Sequence, residues 1–62
     1  MGELLTTEEV AQILGIRPQS LAVWRLHKRE LPFIHVGRLV RYKKKDVEAW
    51  LDRQTVAVGE GL

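Results

Sequence analysis

Sixty-two residues without a cysteine leave room for one domain and exclude a disulfide or a thiolate metal site. At 45% hydrophobic and 29% charged the composition is that of an ordinary globular chain, with neither the roughly 20-residue apolar run of a membrane span nor a charged-then-apolar leader. The net charge of +2 hides a segregation: residues 17–45 hold nine Lys and Arg against the single acid Glu30, a net +8, while residues 1–16 and 46–62 each carry −3.

A chain this short buries only about 60% of its unfolded surface, so its folding margin is expected to be a few kcal/mol. It has little room for a substrate pocket, and its two histidines are too few for a zinc cage. No nucleophile–base set, carboxylate pair or phosphate loop stands out, so neither an enzyme nor a cofactor or metal is expected. A basic block between acidic ends is the pattern of a surface that meets a polyanion. Without a partner, the same block would simply be a solvated face.

The first predicted helix spans 7–14. Thr6 as N-cap and Glu9 three residues on form a capping box, Val10, Ile13 and Leu14 make an apolar stripe, and Gly15 supplies the left-handed stop. A second helix starts at once on Pro18, which suits the first helical position, and is predicted to run to about Glu30 before Pro32. Leu21 and Trp24 are its clearest inward pair. Gln19, Val23, His27 and Glu30 lie opposite, and Ala22 and Leu26 make it apolar on more than one side. Two short helices joined by a Gly-containing turn form a helix-turn-helix.

Phe33 to Tyr42 reads as a β-hairpin split at Gly37. A three-residue loop over 37–39 would pair Val36 with Val40, His35 with Arg41 and Ile34 with Tyr42, placing four apolar side chains on one face. That register is preferred here to a two-residue loop, which mixes the faces. Lys43-Lys44-Lys45-Asp46 then opens a third helix with Val47, Trp50 and Leu51, ending near Arg53 or Gln54. Asp46 falls where a carboxylate suits the helix dipole. Trp24 and Trp50, at helical spacing with Leu21 and Leu51, are expected in the core. The expected organisation is one domain over 1–54 and a frayed, disordered tail over 55–62, which has no periodicity.

Helix, turn, helix, hairpin, helix is the outline of a winged helix-turn-helix, mainly α with a small β-hairpin. A helix fits the major groove of B-DNA, and a hairpin with an arginine near its tip can follow the backbone or probe the minor groove.

Specific residues carry a resemblance. Leu5-Thr6-Thr7-Glu8-Glu9-Val10-Ala11, Leu14-Gly15-Ile16, Pro18-Gln19-Ser20-Leu21, Trp24, Leu31-Pro32, Val36-Gly37-Arg38, Val40-Arg41-Tyr42 and Asp46-Val47-Glu48-Ala49-Trp50-Leu51 closely resemble the excisionase-type, AlpA-like helix-turn-helix family, related to the DNA-binding half of MerR-like regulators. The resemblance covers residues 4–53 with its spacing intact. It implies a small bacterial, plasmid or phage protein that binds double-stranded DNA, either as an excisionase steering a recombinase or as a transcriptional regulator. It also implies a cytoplasmic, nucleoid-associated location.

Three departures from that pattern matter. Arg17 replaces the usual Ser or Thr cap, Ala22 and Val23 stand where members often show Arg or Tyr, and Lys28 takes a place often held by Gly. This leaves Gln19 and Ser20 as polar base readers, with Val23 placed for a thymine methyl. Arg17, Arg25, His27 and Lys28 are the other candidate DNA contacts on or beside the second helix. Arg38 and Arg41 are those of the hairpin, and Lys43 and Lys44 those at the start of the third helix. His35 reads as a spectator. One module covers little DNA, so a homodimer, a cooperative row or an integrase/recombinase partner is expected. An adaptor whose basic face meets an acidic protein is the reading from another class.

Overall fold

The computed structural model describes residues 3–56. Its elements run β1 (Leu4–Leu5), α1 (Thr7–Leu14), α2 (Pro18–Leu26), β2 (Ile34–Val36), β3 (Leu39–Lys43) and α3 (Lys44–Gln54). The strands form one antiparallel sheet in the order β1-β3-β2, which completes a winged helix-turn-helix. The expected tail lies, from residue 57 onward, outside the described residues.

α1 starts as its sequence predicts. The Glu9 amide donates to Thr6 Oγ1 at 3.1 Å, and the Thr6 amide donates to Glu9 Oε1 at 2.8 Å. It ends at Gly15, φ 71°, where the Ile16 amide reaches back to the Ala11 carbonyl and the Gly15 amide to Gln12. Its buried side differs from the predicted stripe: Val10 and Ala11 are buried, whereas Ile13 is 52% exposed. The reason is that α1 packs on both α2 and β3, so its inward arc is centred between Val10 and Ala11.

α2 is four residues shorter than predicted. It closes with the same turn as α1: the Arg29 amide donates to the Trp24 carbonyl and the Lys28 amide to Arg25, both at 3.0 Å. Here the left-handed position is taken by Lys28, φ 51°. Glu30, φ 74°, then forms a γ-turn closed by the Leu31 amide on the Arg29 carbonyl at 2.9 Å. Two reversals in quick succession bring Leu31 into the core, 4% exposed. A helix continued to Glu30 would carry it past that site. Pro32 therefore follows the stop and does not cause it.

The hairpin turns over two residues, not over the three-residue loop expected from its apolar faces. Val36 pairs with Leu39, His35 with Val40 and Ile34 with Arg41, across a two-residue turn of Gly37 and Arg38. Gly37 has φ 64°, and a glycine at the first central position of a two-residue turn matches the twist of the strands it joins. Tyr42 turns inward beside its partner Leu5 in β1. Alternation then sends Ile34, Val36, Leu39 and Arg41 to the outer face. The wing is too thin for face burial to override its turn.

No local pattern in the sequence marks β1. Two residues become a strand because β3 offers an edge, with Leu4 against Lys43 and Leu5 against Tyr42, and because the Lys44 amide donates to the Glu3 carbonyl at 2.9 Å. Leu5, Val10, Ala11, Leu21, Leu31, Tyr42 and Val47 form the core, drawn from every element except β2. Trp24 and Trp50 pack against it, as expected, with ring centroids 5.5 Å apart and planes inclined by 39°. Leu51, grouped with them by spacing, stays outside this packing and is 37% exposed.

Candidate nucleic-acid interface

The N-terminus of α2 carries no side-chain cap. Arg17 sits at the N-cap with φ −82°, makes no capping hydrogen bond, and no acid occupies the first turn. Pro18 has no N–H and the Ser20 amide donates to the Arg17 carbonyl at 3.0 Å, so Gln19 holds the remaining amide of the first turn, at the positive end of the dipole with Arg17 exposed beside it. Pro18 in the first turn keeps the helix start rigid.

Along α2 the candidate residues separate into two sides. Gln19 and Val23 are exposed, together with Ala22 and Leu26. At 100° per residue these four share one stripe, opposite the buried Leu21 and half-buried Trp24. Ser20 is half-buried at the edge of that stripe. His27, at the C-cap, and Lys28, in the turn, are both exposed.

Arg25 lies on the inner side. Its Nη1 donates to the Tyr42 hydroxyl at 2.7 Å and to Thr7 Oγ1 at 3.4 Å, so one guanidinium joins α1, α2 and β3. Tyr42 is 1% exposed, and this contact satisfies its buried oxygen.

On the wing, Arg38 is exposed at the turn, one residue after Gly37. Arg41 and Lys43 lie two apart on β3, on its outer face. Arg41 is half-buried, and its Nη1 donates to the Val40 carbonyl at 2.8 Å. Lys43 is exposed at the N-cap of α3. Lys44 is exposed and rests 3.5 Å from Glu3, an ion pair open to solvent.

Seven of the nine cations between residues 17 and 45 are exposed, Arg25 and Arg41 being half-buried. Glu30 is the one acid within that block and Glu3 pairs with Lys44; Glu8 and Glu9 sit in the first turn of α1, and Asp46, Glu48 and Asp52 on α3. Arg29, absent from the sequence-derived candidates, is exposed beside Lys28 on an open depression of about 350 Å³ that Glu30, Leu31, Pro32 and Phe33 also line. Placing Arg29 inside a helix hid it, because its outward direction depends on the turn at Lys28. Among the described residues no group of three or more His, Asp or Glu could hold a metal ion, and no helix is long and apolar enough to cross a membrane.

A family model described as a helix-turn-helix domain matches residues 4–55, a span that includes every element of the fold. No curated protein and no solved structure matches the chain.

Proposed function

This chain belongs to the helix-turn-helix domain family, of the excisionase/AlpA type, and we propose that it binds double-stranded DNA sequence-selectively with α2 in the major groove and the β2–β3 wing on the neighbouring backbone or minor groove. One observation carries the proposal: residues 17–45, from the turn before α2 through the wing to the start of α3, hold nine cations and a single acid, and seven of those cations are exposed. The uncapped start of α2 beside Arg17 suits a phosphate oxygen. Arg38 at the turn suits the backbone or a narrow minor groove. Gln19 is the polar base reader at the start of the outward stripe, with Ser20 at its margin. Arg41, Lys43 and Lys44 supply backbone contacts from the base of the wing, and His27, Lys28 and Arg29 from the end of α2.

Within this reading the protein acts as an excisionase, bending or occupying DNA so that a recombinase favours excision, and it does so as more than one copy on its site. The family resemblance supports that role, as it also supports transcriptional regulation. A mobility-shift titration on DNA flanking the protein's own gene tests DNA binding. Excisive recombination by a cognate integrase, with and without the protein, tests the role. A DNA shift without any gain in excision would favour a regulator. No shift at low salt, with capture by an acidic protein, would favour an adaptor.

A further inference from the structure

We infer that α2 reads the 5-methyl groups of thymines, with Ala22, Val23 and Leu26 as the specificity-determining residues. The inference rests on the DNA-binding reading above. Between Gln19 and His27 every exposed side chain of α2 is apolar: Ala22, Val23 and Leu26. Val23 is 48% exposed and Leu26 76%. Both have the option of burial in a small core and neither takes it, because Leu21 and Trp24 fill the inner side. Arg25, the one charged residue of the helix, is held inward by Tyr42 and Thr7. The outward stripe thus presents one amide, on Gln19, and then no hydrogen-bonding group for two turns.

Hydrogen-bonding edges fill most of the major groove floor, and the C5-methyl of thymine is its apolar group. A helix that enters the groove on an apolar stripe gains there only where methyls line up with it. From Gln19 to Leu26 the stripe is about 10.5 Å long at 1.5 Å per residue, about three base-pair steps. The cations around it, Arg17 before the helix and Lys28 and Arg29 after it, are exposed and suited to phosphates on either side of the groove. Charge at both ends and an apolar middle fit a polyanion with methyl groups between its phosphate rows. An acidic protein surface would fit the ends and leave the middle unmatched.

The test uses a duplex recovered from a random pool by selection on the intact protein, resynthesised with deoxyuridine in place of individual thymidines. Each methyl removed under α2 is expected to weaken binding about fourfold, the equivalent of one buried methyl group. In the Val23→Ala and Leu26→Ala proteins, both altered at exposed positions, the same replacements should change affinity by less than about twofold. Equal affinity of the native protein for thymidine and deoxyuridine duplexes overturns the inference and leaves DNA binding standing. Leu26→Ala lowering cooperativity between copies, with native sensitivity to deoxyuridine retained, also overturns it and assigns the stripe to a second copy. Failure to recover any duplex overturns the DNA-binding reading itself.

Discussion

The Arg25 guanidinium donates to the hydroxyl of Tyr42 at 2.7 Å, and this bond ties the second helix of the helix-turn-helix to the central strand of the wing. Neither partner is exchangeable for the other's loss. Tyr42→Phe removes the acceptor and leaves a half-exposed guanidinium that water can solvate, so it should cost about 1 kcal/mol. Arg25→Ala strands a hydroxyl that is 1% exposed and should cost about 2–3 kcal/mol. Chemical denaturation of both variants checks the order. Equal losses would show that the hydroxyl finds another partner.

If Arg25 is a strut, its removal should act on DNA binding through stability alone. The salt dependence of the remaining folded protein is expected to keep its slope. A slope reduced by about one on Arg25→Lys, which retains the charge but not the planar fork, would instead point to a rearranged contact surface.

α1 and α2 end in the same hydrogen-bonded turn, with Gly15 in the left-handed position of one and Lys28 in that of the other. A side chain there costs roughly 1–2 kcal/mol, partly offset by the greater unfolded freedom of glycine. Lys28→Gly should therefore stabilise the fold by about 0.5–1 kcal/mol, several degrees in Tm for a domain of this size. If Lys28 contacts phosphate, the same variant lowers the salt slope by about one. No gain in Tm would mean that the turn relaxes around the lysine.

Gly37 is the opposite case. A β-carbon built on it meets nothing within 4 Å, yet its φ of 64° disfavours any side chain. Gly37→Ala should cost about 1–2 kcal/mol through backbone strain alone. A three-residue loop would relieve that strain by shifting the register, which backbone amide cross-peaks between Val36 and Leu39 would reveal.

With about six or seven phosphates neutralised by the cations assigned above, the logarithm of the association constant should fall with log salt at a slope of roughly −5 to −6. Arg38→Ala should weaken binding to all sequences and flatten the slope by about one. Gln19→Ala should alter sequence preference with the slope unchanged. A slope near zero for the native protein would end the DNA-binding reading.

The interface was legible in outline from the sequence, since charge segregation and the order of elements require only counting and spacing. Arg25 shows where that stops: its spacing beside Leu21 and Trp24 is compatible with a snorkelling phosphate contact or with a strut. Only the packing of Tyr42 beside α2 chooses between them. Ala22, Val23 and Leu26 were recognisable as surplus apolar positions, but whether they pack internally depended on which side α1 and β3 cover.

Features set by neighbouring residues were determined by the sequence itself. The Thr6–Glu9 capping box, the stop at Gly15, Pro18 opening α2 and the span of α3 all rest on interactions within a few residues, whose energies do not wait for the rest of the fold. The early end of α2, the existence of β1 and the register of the wing were decided by tertiary structure. Leu31 had to reach the core, Leu4–Leu5 needed the edge of β3, and Tyr42 had to turn inward beside Leu5 and Arg25. Each depends on a partner distant in the chain, and local propensity carries no information about that partner.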